Sequence, residues 1–427
     1  MVGDERLIAV GISHHTAPLE VRERLAMPLD VIPGLLGRLC ADGFSNEAVL
    51  LSTCNRTELY TVPGHRGEVD RFVRWLAEAG GATDREISEK IYRKSDQDAL
   101  RHIFRVASSL DSLVLGEPQI VGQMKTAFRV AAEHKAAGPM LHRVMNHALH
   151  VSKRVRSETD IAREAVSVGR AGVELVRQVL GSLEGRSALL VGAGAHGKLV
   201  ARALLDFGLS ELVVANRTFE HAAALAEAFN GSAIPIQEVE RYLPRVDVVL
   251  CSTAAGRVLI SRDEVASTLP QRRGKSLVMI DLSVPRNIDP SVNTLGGVYR
   301  FDIDDLAQFA GRGQESRRSA AAEAEEIVEL ETERHWRQLM GEQVNRQIGS
   351  IVQSAELVRK LEVERARMAM QGLPPEQWQT VEAMSRAIVK KILHQPLRQV
   401  RSWAEDGDIE QATSVFTAFG NEEEPDA

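Results

Sequence analysis

The sequence is poor in cysteine and in aromatic residues, and each shortage excludes a class of protein. Three cysteines occur in 427 residues, far apart and without a CxxC pair: Cys40, Cys54 and Cys251. A disulfide framework or a cysteine-rich zinc site needs more cysteines at closer spacing, so any cysteine role is that of a single thiol. Because aromatic residues make up only 4% of the chain, its cores must be built from Leu, Val, Ile and Ala.

Long apolar runs are also missing. No segment approaches the roughly 20 apolar residues that a membrane-spanning helix requires. The first residues, MVGDERLIAV, carry acids where a signal peptide needs a basic start, so we expect a cytoplasmic protein. A net charge of −7 argues against a general nucleic-acid coat, although it leaves room for a local basic patch that faces a folded RNA.

Three regions of the chain differ in pattern. Residues 1–160 contain two apolar strands among helical stretches, which predicts an α+β domain. Residues 161–311 hold four short apolar runs spaced as βαβ units require, and they predict a Rossmann-type domain (SALLVGAG, ELVVANR, VDVVLCST and SLVMIDLS). Residues 312–415 predict a long helix and a helical domain that breaks near Pro374–Pro375 and ends its helices near Pro396. An acidic disordered tail over 416–427 completes a multidomain α/β plus α fold.

A glycine-rich turn follows the first apolar run of the second region. Gly192, Gly194 and Gly197 match G-x-G-x-x-G, and an amphipathic helix follows them. In such loops the first glycine allows the tight turn, the second lets the backbone approach a pyrophosphate, and the third lets helix and strand pack closely. We predict a dinucleotide site formed by Gly192, Ala193, Gly194, Ala195, His196 and Gly197. The alternative is a glycine-rich turn that binds nothing.

The end of the next strand selects the cofactor. An NAD site would place Asp or Glu there to hold the ribose 2′-hydroxyl. This sequence instead has Asn216, Arg217 and Thr218. A cation with two neutral hydrogen-bonding groups suits a 2′-phosphate, so we predict NADPH, unless Arg217 is an ordinary surface residue. Ser252 and Thr253 are predicted to lie near the nicotinamide, and Cys251 before them is interpreted as a small core residue.

Cys54 lies directly after a strand, where reactive groups often sit. Its neighbours are hydrogen-bond donors, namely Thr53, Asn55, Arg56 and Thr57. We predict that Arg56 lowers the pKa of the thiol by favouring the thiolate. By pattern alone a buried structural cysteine is the more common alternative. A candidate thiolate and a hydride site on one chain suggest that an acyl group forms a thioester, which is then reduced to an aldehyde.

The segment 108–128 is rich in polar residues around a turn. Gly116, Glu117, Pro118 and Gln119 form the predicted turn, and a helix is expected to start near Gln119 with Gln123 one turn later. Polar side chains at a helix start suit recognition of a small polar substrate. An ordinary capped helix is the alternative.

Taken together, these motifs resemble the glutamyl-tRNA reductase family, which begins tetrapyrrole synthesis from charged glutamate tRNA. The resemblance covers nearly the whole chain and is specific, because STCNRTE and LGEPQI at this spacing are not general α/β features. It is carried by GISHHTAPLEVRERL, LSTCNRTELY, SLDSLVLGEPQIVGQMKTAF, VGAGAHGK, ANRT and DLSVPRNIDP.

The resemblance implies a role for each matched residue. Cys54 would be the nucleophile that takes the glutamyl group from the tRNA as a thioester, and His102 would orient the substrate or assist proton transfer. The implied substrate-binding residues are Thr53, Cys54, Asn55, Arg56, Ser112, Glu117, Pro118, Gln119 and Gln123. By pattern alone His102 is more often a helix-surface or core histidine.

The resemblance also implies an architecture and partners. A catalytic domain, an NADPH domain and a dimerisation domain would be arranged along one long helix in a V-shaped homodimer. Glutamate-1-semialdehyde aminotransferase would receive the aldehyde, and no metal is implied.

Four cations without an acid lie between His142 and Arg156: Arg143, Lys153, Arg154 and Arg156. We interpret this stretch as facing tRNA phosphates, with a solvated helix face as the alternative. Two other functions compete with the tRNA reductase. A shikimate-dehydrogenase-like oxidoreductase would explain GAGAHG and ANRT alone, and a non-enzymatic sensor of NADPH or a tetrapyrrole would carry a degenerate site.

Overall fold

The computed structural model describes residues 6–83, 87–113, 115–117, 119–162, 168–310, 315–370, 372, 374–406 and 411–412. The described chain forms two compact units, Arg6–Glu329 and the residues from Leu330 onward. The expected tail over 416–427 lies outside the described residues. No described helix is both long enough and apolar enough to cross a membrane.

The first unit begins with a four-stranded antiparallel sheet in the order β2-β3-β1-β4. Its strands are β1 (Ile8–Ser13), β2 (Ser45–Ser52), β3 (Arg56–Pro63) and β4 (Tyr92–Ser95). All six residues of β1 are buried, as expected for a strand with neighbours on both edges and helices over the sheet. Sequence reading identified β1 and β2 but not β3, although Thr57, Tyr60 and Val62 are typical strand formers.

Helices in the described part of the chain accompany this sheet. They are α1 (Leu19–Leu25), α2 (Ile32–Ala41), α3 (Val69–Ala79), α4 (Asp96–Ala107), α5 (Gln119–Glu133) and α6 (Pro139–Glu158). Each buries one apolar stripe; in α4 the stripe is Leu100, Ile103, Phe104 and Ala107, which recurs at helical spacing. α5 begins at Gln119, as the sequence predicts.

The rest of the first unit is built on a six-stranded parallel sheet in the order β10-β9-β8-β5-β6-β7, which confirms the Rossmann-type domain. Its strands are β5 (Ser187–Val191), β6 (Glu211–Asn216), β7 (Ser232–Pro235), β8 (Val248–Cys251), β9 (Leu277–Asp281) and β10 (Val298–Asp302). The chain order reverses at β5, which lies between β6 and β8. In such sheets the crevice at the carboxyl ends of the reversing strands is the binding position.

Helices cover both faces of the parallel sheet. They are α7 (Val168–Leu180), α8 (Ala195–Asp206), α9 (Phe219–Ala228), α10 (Val239–Tyr242), α11 (Arg262–Arg272) and α12 (Ile303–Ala310), with 3-10 turns at Asp160–Ala162, Ile236–Glu238 and Pro290–Thr294. Two separate apolar cores result. Leu190 and Leu250 face one of them, and Val191 and Cys251 face the other. Alternate strand residues thus point to opposite cores.

Two helices follow, α13 (Glu315–Ala369) and α14 (Pro375–Asp406). The early turns of α13 belong to the first unit, where Glu325 and Glu329 pair with Arg105 and Arg101. The predicted break near Pro374–Pro375 is confirmed, because α14 begins at Pro375.

The prediction that the helices end near Pro396 is wrong, since α14 continues to Asp406. The reason is tertiary packing on both sides of the proline. Leu393, Leu397 and Val400 form one apolar stripe that packs with Val344 and Ile348 of α13. Burial of this stripe outweighs the single backbone hydrogen bond that proline removes.

Candidate active site

The hairpin between β2 and β3 carries Cys54. The hydroxyl of Thr53 accepts hydrogen bonds from the backbone N–H groups of Asn55 and Arg56, each at 3.2 Å. The N–H of Thr53 donates to the carbonyl of Arg56 at 2.8 Å. These bonds close a tight turn because a threonine hydroxyl can replace a backbone acceptor. The turn places the thiol at the end of a rigid sheet.

A small crevice opens beside Cys54, with a volume of about 20 Å³. This is room for about one water molecule. Its lining residues are Thr53, Cys54, Asn55, Arg56, Ser112, Glu117, Gln119, Ile120, Gln123 and His196. All the predicted substrate residues in the described part of the chain therefore meet at one place. Pro118 lies outside the described residues.

The thiol of Cys54 is un-ionised at neutral pH in this structure. Burial raises the pKa of Cys54 to about 12, the charge of Glu117 adds to this effect, and the charge of Arg22 opposes it. The prediction that Arg56 lowers the thiol pKa is wrong. Its guanidinium is turned away into the protein and is neutralised by two carboxylates. The cation near the thiol is Arg22, which donates to the carbonyl of Cys54 at 2.8 Å and pairs with Asp304.

Arg56 anchors a buried ionic network behind the hairpin. Its Nη1 lies 2.5 Å from Glu58 Oε1 and 2.9 Å from Asp111 Oδ2. Glu58 also accepts hydrogen bonds from the hydroxyls of Tyr60 at 2.6 Å and Tyr92 at 2.5 Å. A wholly buried carboxylate would cost several kcal/mol without such partners.

His102 belongs to the same network. Its Nε2 lies 3.0 Å from Glu58 Oε2, and its side chain is buried on α4. Burial alone would raise the pKa of Glu58, but the charges of His102 and Arg56 hold it well below its usual range. His102 lines a separate hollow of about 380 Å³ with Tyr92 and Asp111, and it is not among the residues that line the Cys54 crevice.

The potential ligand atoms of Glu58, His102 and Asp111 lie within 4.8 Å of one another, as metal ligands do. The guanidinium of Arg56 bonds to both carboxylates and already supplies the positive charge at this position.

A larger cavity of about 880 Å³ opens at the carboxyl edge of the parallel sheet, where the strand order reverses. The predicted loop residues 192–196 line it together with Asn216, Arg217, Ser252 and Thr253. Cys54, Gln119 and Gln123 also line it, so Cys54 borders both cavities. Its size and position fit a dinucleotide.

Close packing against Ser252 explains why three positions of this loop are glycine. Gly192 has a φ of +96°, and a Cβ there would lie 2.3 Å from the carbonyl oxygen of Ser252. A Cβ on Gly194 would lie 2.2 Å from Ser252 Oγ, and one on Gly197 2.6 Å from Ser252 Cβ. α8 begins at Ala195 without a side chain at its N-cap, Gly194. The N–H of Gly197 donates to Ser252 Oγ at 3.2 Å, and the N–H groups before it in the helix suit a pyrophosphate.

The residues after β6 divide between two positions. Asn216 and Arg217 line the cavity, whereas Thr218 is not among its lining residues and instead precedes α9. Thr253 donates its hydroxyl proton to Asn287 Oδ1 at 2.6 Å. Cys251 is fully buried, which confirms its interpretation as a core residue.

A histidine–carboxylate contact joins the parts of the chain that form the two sheets at the crevice, in addition to the Arg22–Asp304 ion pair. His196 Nε2 at the start of α8 lies 2.8 Å from Glu117 Oε1, and both side chains are nearly buried. Sequence reading placed Glu117 with the substrate and His196 with the cofactor, and it missed that they meet. It also missed Arg22, Glu58 and Asp111. A charged residue within an apolar strand, as Glu58 is in β3, was the available signal.

The basic stretch lies on α6. Lys153 and Arg156 are exposed there, and Arg154 pairs at 2.8 Å with Glu158, an acid just beyond the stretch.

Comparison with known proteins identifies the family. Models of the glutamyl-tRNA(Glu) reductase N-terminal and dimerisation domains match residues 10–159 and 323–420, and a shikimate/quinate 5-dehydrogenase model matches residues 174–309. Glutamyl-tRNA reductase of Syntrophotalea carbinolica is 42% identical over 93% of this chain and 90% of its own length. That of Rubrobacter xylanophilus is 43% identical over 94% of each chain.

The chain belongs to the glutamyl-tRNA reductase family. The solved glutamyl-tRNA reductase from Methanopyrus kandleri matches 98% of this chain and 99% of its own, with 30% identity and a TM-score of 0.56. The Rossmann-type domain is thus the nicotinamide dinucleotide-binding domain of a glutamyl-tRNA reductase, and the C-terminal helices form its dimerisation domain.

Proposed function

We propose that this oxidoreductase reduces glutamyl-tRNA to glutamate-1-semialdehyde through a thioester on Cys54, with NADPH as the hydride donor. The reduction of glutamyl-tRNA, the first step of tetrapyrrole synthesis, is the activity of the family to which the chain belongs. The observation that carries the thioester is the position of Cys54. This residue lines both the crevice of the predicted substrate residues and the dinucleotide cavity.

The sulfur attacks the carbonyl carbon of the glutamyl ester, a carbon–sulfur bond forms, and the bond to the ribose oxygen of the tRNA breaks. Ser112, Gln119 and Gln123 line the crevice and supply polar groups to a glutamyl group on Cys54, which extends into the larger cavity that Gln119 and Gln123 also line. Arg56 supports the hairpin from behind, because its guanidinium is committed to Glu58 and Asp111. When bound, NADPH supplies the hydride that converts a thioester into an aldehyde and a free thiolate.

His102 acts as a positioning residue in this proposal. His102 forms a hydrogen bond with Glu58, and Glu58 forms an ion pair with Arg56. Arg56 is the first residue of β3 and directly follows the turn that carries Cys54.

A single-turnover experiment tests the thioester. Enzyme and tRNA charged with labelled glutamate, mixed without NADPH, should give a labelled protein adduct, and Cys54→Ser should abolish it. Cys40→Ser is the matched control, since Cys40 lies on α2 outside both cavities, and it should leave the adduct unchanged. A wild-type enzyme that reduces its substrate without forming an adduct would overturn the proposal.

The preference for NADPH rests on Arg217 and Asn216, which line the cavity at the end of β6 where an NAD site would have a carboxylate. Arg217→Ala should raise the KM for NADPH about tenfold and leave the KM for NADH nearly unchanged. Equal changes for both cofactors would contradict the assignment.

The remaining assignments follow the family. We place the catalytic domain at 1–160, the dinucleotide domain at 161–311 and the dimerisation domain at 312–415, in a cytoplasmic homodimer that passes its aldehyde to glutamate-1-semialdehyde aminotransferase. We also propose that α6 faces tRNA phosphates through Lys153 and Arg156. Replacing both Arg154 and Arg156 by Glu should weaken tRNA binding at low salt, and unchanged binding would refute this surface.

A further inference from the structure

The proposed reaction needs a base, because its nucleophile Cys54 is protonated in this structure. Burial and the charge of Glu117 raise the pKa of Cys54 to about 12. A thiol attacks a carbonyl far more slowly than a thiolate does, so a base must take the proton when the substrate is in place. The structure must therefore hold a proton acceptor beside Cys54.

Most charged groups near the thiol are unsuitable. Arg22 has no acceptor atom, and it is bonded to the Cys54 carbonyl and to Asp304. Asp304 is occupied by that ion pair, and His102 lies in the network behind the hairpin. The remaining candidates that line the crevice are Glu117 and His196.

His196 and Glu117 form an ordered acid–base pair. The imidazole lies with Nε2 at 2.8 Å from Glu117 Oε1, and both residues share the 20 Å³ crevice with Cys54. A carboxylate on Nε2 keeps the proton of a neutral imidazole on that nitrogen, so Nδ1 becomes the acceptor. The contact described for His196 uses Nε2 and not Nδ1.

We propose that His196 is the acid–base residue of acyl transfer to Cys54, oriented by Glu117. This inference rests on the proposed thioester. Nδ1 takes the proton from Sγ as sulfur attacks the glutamyl carbonyl, and Glu117 stabilises the resulting imidazolium. As the ester bond breaks, the same proton passes to the 3′-oxygen of the tRNA ribose, so the imidazole ends neutral and no oxidant or reductant is needed.

The positions of Cys54 and His196 in different domains determine when acylation can occur. Cys54 and Glu117 come from the catalytic domain, whereas His196 lies in the glycine loop of the dinucleotide domain. Nucleophile and base are therefore together only when these two domains are in contact, as they are in this structure. Acylation then requires the closed arrangement even without cofactor.

The decisive variant is His196→Gln, measured by the rate of labelled adduct formation without NADPH. This readout is independent of any effect on cofactor binding. We expect the rate to fall about 100-fold or more, in line with loss of a general base. His221→Gln, an exposed histidine on α9, is the matched control and should behave as wild type.

The pH profile distinguishes a base from a merely structural contact. Without an acceptor for the thiol proton, the rate of His196→Gln should rise into alkaline solution as the thiol itself ionises, more steeply than the wild-type rate. The charged groups that act on the Cys54 thiol are Glu117, Arg22 and Asp304, and all three are intact in the variant. Added imidazole should partly restore the rate of His196→Ala, whose truncated side chain leaves space for it.

The outcomes separate the two proposals. No adduct with the wild type overturns the proposed function. An adduct that forms equally fast, and with the same pH profile, in His196→Gln overturns the role of His196 alone. Should both variants fold poorly, the rate of wild-type adduct formation in D2O decides. A slower rate in D2O than in H2O supports proton transfer from sulfur to a base during acylation, and an unchanged rate refutes it.

Discussion

The two sheets of the first unit each bury a carboxylate, and they stabilise it in different ways. Glu58 in β3 and Asp281 at the end of β9 are both wholly buried. Glu58 is surrounded by Arg56, His102 and two tyrosine hydroxyls. Asp281 instead accepts backbone N–H groups of the loop after its strand, from residues 283, 287 and 288.

This difference gives the two carboxylates opposite responses to pH. The pKa of Glu58 lies well below its ordinary value, so its stabilisation is present above about pH 4.5 and is lost as pH falls. Burial raises the pKa of Asp281 to about 6, although its backbone hydrogen bonds oppose the shift. Its contribution to stability therefore decreases as pH rises from about 4 to about 6. Both carboxylates are buried, so the charged partners of Glu58, which Asp281 has only weakly, account for the opposite signs of the two pKa shifts.

The largest effect should come from Glu58→Gln. Loss of the carboxylate leaves the buried Arg56 with Asp111 as its remaining charged partner, which should lower the free energy of unfolding at pH 7 by about 3 kcal/mol. Urea unfolding measures this. The difference from wild type should shrink towards pH 4, and a difference that grows there would contradict the assignment. Glu89→Gln, at an exposed position, should change stability by less than about 0.5 kcal/mol.

Asp281→Asn should have an intermediate effect, about 1–3 kcal/mol, because an amide presents donors to N–H groups that need an acceptor. Its difference from wild type should be larger at pH 5 than at pH 7, the reverse of Glu58→Gln. Urea unfolding at both pH values provides the test. If the stability differences of the two variants from wild type changed with pH in the same direction, the contrast between the two carboxylates would be wrong.

Tyr92→Phe should have the smallest effect, about 1.5 kcal/mol, since it removes one hydrogen bond to a charged acceptor and leaves the rest of the network intact. Tyr299→Phe on β10 of the parallel sheet is the control, because that side chain is exposed. Thermal unfolding should show a lower midpoint temperature for Tyr92→Phe than for Tyr299→Phe. Equal shifts would mean that the Tyr92 hydroxyl gains nothing from Glu58.

The sequence predicted best where local pattern and structure coincide. The glycine loop is one case, since the strand, the three glycines and the helix lie together in the chain. The start of α5 at Gln119 is another. The dehydrogenase-type region was recognisable from the spacing of its strands alone, without any contact between them.

The wrong and missed predictions share a physical cause. Each concerns a residue whose position depends on a partner distant in sequence. Arg56 was assigned to the thiol because it is two residues away, whereas Asp111, its partner in the fold, is 55 residues away. Pro396 was interpreted as a helix end because local rules disfavour proline there, and packing against α13 overrode them. The Glu117–His196 pair joins residues 79 apart, so no local pattern could indicate it.

The crevice at Cys54, with space for about one water molecule, also bears on the fate of an acylated enzyme. A thioester exposed to solvent is slowly lost by hydrolysis to the free acid. A glutamyl group is several times larger than one water, so an acyl chain on Cys54 would extend from the crevice into the larger cavity that the same residue lines. Water in that cavity would reach the thioester, so the lifetime of the acyl-enzyme should depend on what fills the cavity beside it.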